Sequence, residues 1–162
     1  MALHYGYWDE HTLNHRQVLW NTNYQIAKHA QIKKSDYILD VGCGVGGTSI
    51  FLANQIGYKA HGITLSPTQV EQIKDYKKEL DKNNRTEFSL PNFCKTNFSD
   101  HTFDVAFAME SAMHAEVKEE LLEKVFRFLK PGGRLHIADY FLRHSKNIKE
   151  VYYLKNGQSL GL

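Results

Sequence analysis

The chain has little of what several functional classes require. Two cysteines in 162 residues exclude a disulfide-stapled scaffold. Cys43 and Cys94 also lack the paired spacing of a zinc or dithiol site, so a reducing cytoplasm is the expected setting. No long apolar run is present, and the N-terminus is polar and aromatic, so neither a membrane span nor a signal peptide is expected. The Asn97-Phe98-Ser99 sequon then carries no meaning. Charge is nearly balanced at +2. Basic residues cluster only in pairs such as Lys33-Lys34 and Lys77-Lys78, which excludes an extended nucleic-acid surface. Repeats and low-complexity segments are also missing. With 42% hydrophobic and 23% charged residues, the composition is that of one soluble globular core.

Glycine is placed where it counts. Asp40-Val41-Gly42-Cys43-Gly44-Val45-Gly46-Gly47 follows the apolar Tyr37-Ile38-Leu39 and precedes Thr48-Ser49-Ile50-Phe51-Leu52-Ala53. The order is strand, glycine turn, helix. Such a turn lets a ligand approach bare backbone at the positive end of a helix. The residues satisfy both G-x-G-x-x-G, the dinucleotide fingerprint, and an acid-x-G-x-G-x-G pattern. Asp40 discriminates between them. A pyrophosphate would meet like charge there, whereas a zwitterionic tail with an ammonium group, as in S-adenosylmethionine, would not. The bland alternative for Asp40 is that it ties down loop N–H groups.

Along the chain, helices are expected over Thr12 to Gln31, after the glycine loop, over Pro67 to Asp81 and over Val117 to Leu129. Strands are expected at Tyr37 to Leu39, Lys59 to Leu65, Thr86 to Leu90, Phe103 to Ala108 and Arg134 to Tyr140. Lys130-Pro131-Gly132-Gly133 reads as the stop between the last helix and strand. Alternation of this kind implies an α/β fold: a doubly wound, mostly parallel, Rossmann-like sheet of about five strands flanked by helices. Ligands in such sheets sit at the carboxyl ends of the strands. Ser66, Pro67 and Gln69 form a capping box for the second of these strand–helix units.

Leu39 to Gly47, followed by Gly62-Ile63-Thr64-Leu65-Ser66 and Gln69, resembles the class I S-adenosylmethionine-dependent methyltransferases. It is most similar to the small-molecule branch that includes tocopherol, sterol, glycine-betaine-pathway and sugar O-methyltransferases and the cyclopropane synthases. His4-Tyr5-Gly6-Tyr7-Trp8 resembles their entrance segment. Phe103 to His114 resembles their fourth strand and its active-site end, and Leu129 to Gly133 the turn before the fifth. The likeness runs from about residue 3 to 144 and implies one methyltransferase domain over 1–144, its N-terminal helical segment 1–34 included. Residues 145–162 are then a short tail, with Ile148, Val151 and Tyr152 facing inward from a short helix and Asn156 to Leu162 frayed. Against the family pattern the chain lacks the usual final two strands and reads as C-terminally truncated. That leaves the fifth strand an exposed apolar edge, a route to self-association.

The resemblance also implies roles. Gly42 and Gly44 present backbone to the methionine part of S-adenosyl-L-methionine, and Asp40 organises its ammonium. Thr64 and Leu65 meet the ribose with Gln69 close by, Asn92 and Phe93 meet the adenine, and Tyr5 stands at the entrance. Glu110 and His114 lie beside the transferring methyl group. Their spacing puts them on one face if the chain is helical there, and imidazole titrates near neutrality, which suits a base. Met113, where cyclopropane synthases have Glu, argues against cyclopropane formation. His11 and His15 share helical spacing but have no third metal ligand. The acceptor is expected to be a small molecule, methylated on oxygen, nitrogen or carbon. The alternatives are a truncated, non-catalytic fragment or pseudo-enzyme and, through G-x-G-x-x-G alone, a nicotinamide-dependent oxidoreductase.

Overall fold

A computed structural model describes residues 4–90, 96 and 98–140, together with the backbone of 152–155 and 158–161. Helix α1 spans His15–His29. It starts later than Thr12 because Asn14 caps it, accepting from the Gln17 N–H at 3.1 Å, while the Thr12 hydroxyl bonds Asp9. Strand β1 (Tyr37–Val41) leads into α2 (Gly47–Ile56), β2 (Lys59–Ile63) into α3 (Pro67–Leu80), and β3 (Thr86–Ser89) follows. Strand β4 (Phe103–Met109), α4 (Lys118–Phe128) and β5 (Leu129–Ala138) complete the main body.

The five strands are parallel, in the order β3-β2-β1-β4-β5. Apolar residues on both faces of the central strands explain why helices cover both sides. Ile38, Val105 and Phe107 pack with Ile26, Leu52 and Tyr58 under α1 and α2. Leu39, Val41 and Phe103 pack with Leu121, Val125 and Phe128 under α4. The glycine loop leaves the middle of the sheet, where β1 lies between β2 and β4.

Lys130-Pro131-Gly132-Gly133 does not separate helix from strand. Leu129 already pairs with Phe103 and Arg134 with Val105, so two steps along β4 match five along β5 and the segment bulges out. The Lys130 ammonium is fastened to both oxygens of Asp104 at 2.9 Å. Beyond β5, Tyr152–Lys155 (β6) and Gln158–Gly161 (β7) form a separate antiparallel ribbon. Tyr152 is therefore in a strand, not a helix, and Gln158 to Gly161 are paired, not frayed. Ile148 and Val151 lie outside the described residues.

Arg134 locks the lower end of the sheet to α1. Its guanidinium donates to the Ala30 carbonyl at 2.9 Å and to the buried Asp36 carboxylate at 2.7 Å. Arg134→Met is expected to lower stability by roughly 2–4 kcal/mol, because it leaves Asp36 buried without its cation. Equilibrium denaturation in urea checks this.

Candidate functional site

The strand ends build a cleft of about 800 Å³. Its floor is the loop after β1. Gly42, Gly44 and Gly46 hold φ values of 87°, 55° and 77°, a region that favours glycine. The N–H groups of Gly42 and Cys43 both donate to the Ile63 carbonyl, at 3.0 and 2.8 Å, which bends the loop over the end of β2. A Cβ on Gly42 would stand 2.3 Å from the Ser111 Cβ. Side chains are thus excluded where the loop meets the segment after β4. The Ser111 hydroxyl seals that approach by donating to the Val41 carbonyl.

Asp40 lines the cleft from the end of β1 but is only 3% exposed. Its carboxylate accepts from the Ser49 hydroxyl at 2.7 Å, not from loop N–H groups. Burial pushes its pKa up to about 7, against the opposing pull of the Ser49 bond. Burial, and then the Asp40 charge, also push the Cys43 thiol up, so this cysteine is no thiolate nucleophile.

The second wall follows β2. The Thr64 hydroxyl donates to Gln69 Oε1 at 2.5 Å and accepts from the Ser66 N–H at 3.2 Å. Ser66 caps α3 by accepting from the Gln69 N–H at 3.3 Å. Only that half of the expected capping box forms. The Gln69 side chain turns to Thr64, and Leu65 stands exposed at the rim.

Beyond β4 the chain does not become helical at once. Glu110 takes φ 50°, and a short 3₁₀ turn follows at Ala112–His114. Glu110 and His114 both line the cleft, but not as neighbours on one helix face. The Glu110 carboxylate instead accepts from the Tyr5 N–H at 2.8 Å. The Tyr5 ring meets Tyr140 edge-on at 5.5 Å, and the Thr22 hydroxyl donates to the Tyr5 carbonyl at 3.1 Å. The entrance segment is strapped across the mouth from three elements. Glu110→Ala should speed amide exchange at Tyr5 and its neighbours while leaving the sheet protected, as exchange mass spectrometry would show.

The cleft therefore gathers Asp40, Gly42, Gly44, Thr64, Leu65, Gln69, Glu110, His114 and Tyr5. Asn92 and Phe93 lie outside the described residues. His4 of the entrance segment and Ser111 of the segment after β4 also line it, as do Thr48 and Tyr140, to which sequence reasoning gave no part in the site. Ser111, adjacent to Glu110, was within reach of motif reading, whereas Tyr140 is brought in only by the end of β5. Among the described residues no group of three His, Cys, Asp or Glu side chains could hold a metal ion. None of their helices is long and apolar enough to cross a membrane.

Comparison with known proteins agrees with this geometry. A family model described as a methyltransferase domain matches residues 38–133, from β1 into β5. The chain is 31% identical over 140 residues to 27-O-demethylrifamycin SV methyltransferase of Amycolatopsis mediterranei, covering 86% of this chain and 52% of that one. It is 35% identical over 154 residues to 24-methylenesterol C-methyltransferase 2 of Oryza sativa subsp. japonica, covering 91% and 42%. Among solved structures, that of the [4+2]-cyclase SpnF superposes with a TM-score of 0.78 at 29% identity, over 84% of this chain and 50% of that one. The chain spans about half the length, or less, of the curated relatives it matches. With most of its length matched by the family model and its cleft at the strand ends where that loop pattern places it, the chain belongs to the methyltransferase-domain family.

Proposed function

We propose that the cleft binds S-adenosyl-L-methionine and that the protein transfers its methyl group to a small-molecule acceptor. The observation that carries this reading is Asp40, a buried carboxylate at the floor of the cleft whose partner is a neutral hydroxyl. A ligand ammonium would supply the missing opposite charge. A pyrophosphate would not, which tells against the nicotinamide reading.

The residues fit such a cofactor. Gly42 and Gly44 offer backbone without side chains, next to the N-terminus of α2. Thr64 and Leu65 are set for the ribose, with Gln69 orienting the Thr64 hydroxyl. Asn92 and Phe93 are assigned to the adenine by the family likeness alone. S-adenosylmethionine supplies a methyl group already activated on a sulfonium sulfur. The protein's task is then to align the acceptor, exclude water and accept a proton where the nucleophile is a hydroxyl or amine. His114 is assigned the proton, with Glu110 lining the same cleft. One Glu110 oxygen is already committed to the Tyr5 N–H, which favours a part in holding the entrance segment in place. Residues 1–144 are proposed as the working domain, in a cytoplasmic setting, with the outer edge of β5 as a route to self-association.

A second reading is a protein that binds cofactor without transferring methyl. The likeness to a [4+2]-cyclase supports it, since this fold serves other chemistry. Thermal shift separates the readings from the nicotinamide one. Stabilisation by S-adenosylhomocysteine and not by NAD is expected; the reverse would sink the assignment.

A further inference from the structure

The outer face of α1 carries a surface that the cleft does not use. Arg16, Trp20, Tyr24 and Lys28 recur every four residues, which sets them in one ridge, and all are exposed. The opposite side of the helix, with Val18, Ile26 and Ala27, is buried. Trp20 stacks on Phe51 of α2 with centroids 5.9 Å apart, and Tyr24 meets the same ring edge-on at 5.5 Å. Trp20 and Tyr24 still leave 41% and 46% of their surface in solvent. The result is an aromatic ledge across two helices.

Charge around the ledge has one sign. From His15 to Tyr58 the chain exposes Arg16, Lys28, Lys33 and Lys34, while its carboxylates there, Asp36 and Asp40, are both buried. No salt bridge among the described residues engages these cations, whereas Lys74, Arg127 and Lys130 are paired. The acids that precede the helix are locally engaged. Asp9 accepts from the Thr12 hydroxyl and the His11 N–H, and Glu10 faces His11 at 3.5 Å. On the far side of α2, the acids of α3 are offset by an equal number of lysines: Glu71, Asp75 and Glu79 against Lys74, Lys77 and Lys78.

We propose that this face docks on an anionic lipid surface. Trp and Tyr rings settle at the headgroup level, and Arg and Lys reach the phosphates from apolar stems. The outward row of aromatic and basic residues, with no acid in α1, suits the boundary between anionic headgroups and water. A nucleic acid is served less well. The cations are few for phosphate tracking, and Trp20 already spends one ring face on Phe51.

The test is co-sedimentation of the full chain with vesicles of phosphatidylcholine alone and of phosphatidylcholine containing phosphatidylserine. Pelleting with the phosphatidylserine vesicles only is expected, and it should fall at high salt. Arg16→Gln with Lys28→Gln should weaken binding by roughly fivefold per charge removed, with circular dichroism unchanged. In a Trp8→Phe background, Trp20 emission should shift to the blue on those vesicles. Equal binding to pure phosphatidylcholine would overturn the proposal. So would an unaltered affinity in the double variant, no binding at all, or tighter binding to a single-stranded oligonucleotide.

Discussion

Asp40→Asn is expected to flatten the pH dependence of stability and to weaken S-adenosylhomocysteine binding by roughly 10- to 100-fold. Both effects follow from one buried carboxyl. In the unfolded chain Asp40 titrates in the ordinary carboxylate range, about 4. In the fold, burial pushes it up to about 7. Between those values the folded state holds a proton that the unfolded state has released. Rising pH therefore favours unfolding across this window, and the dependence levels off above it. The amide that replaces the carboxyl cannot ionise, so the variant should not share this contribution. Melting temperatures of both proteins at pH 5 and pH 8 check it: the wild type should lose ground to the variant as pH rises. Parallel behaviour would show that Asp40 is already ionised in the fold. The binding loss has the same origin, because the amide leaves the ligand ammonium without its counter-charge.

Gly42→Ala is the second substitution with a large effect. The backbone there has φ 87°, and the new Cβ would stand 2.3 Å from the Ser111 Cβ and 2.8 Å from its hydroxyl oxygen. The first costs about 1–3 kcal/mol in strain. The second forces the segment after β4 away from the loop, at about 1–3 kcal/mol more. A fall in Tm of roughly 5–15 °C is expected, with the cleft floor displaced. Gly132→Ala is the control. Gly132 has a similar φ of 78°, but nothing lies within 4 Å of the added carbon. It should cost only the strain. Equal losses for the two variants would show that the contact with Ser111 does not limit the loop.

The glycine loop was legible because its conformation demands particular residues, and the apolar runs of β1 and β4 because burial on both faces leaves a plain signature. Of the expected side chains, those among the described residues line one cleft at the strand ends, while Asn92 and Phe93 lie outside the described residues. What failed did so for local reasons. Lys130 to Gly133 has turn composition, yet pairing with β4 begins at Leu129 and resumes at Arg134, so the turn is spent as a bulge inside β5. Glu110 and His114 have helical spacing, but a left-handed residue at 110 breaks the helix before it starts. Gln69 had two readings, and its side chain chose the Thr64 hydroxyl over the Ser66 N–H. The strap was beyond reach, since Tyr5 and Glu110 are 105 residues apart in sequence. No local pattern announces a hydrogen bond of that range.

Calorimetric titration of S-adenosylhomocysteine into the chain at pH 7, in two buffers of different ionisation enthalpy, asks whether the cleft takes the cofactor and whether Asp40 meets its ammonium. One site of micromolar affinity is expected. The measured enthalpy should differ between the buffers, because pairing with the ligand ammonium draws Asp40 toward its ionised form and releases a proton. A folded chain that gives no binding heat in either buffer would contradict the assignment of the cleft.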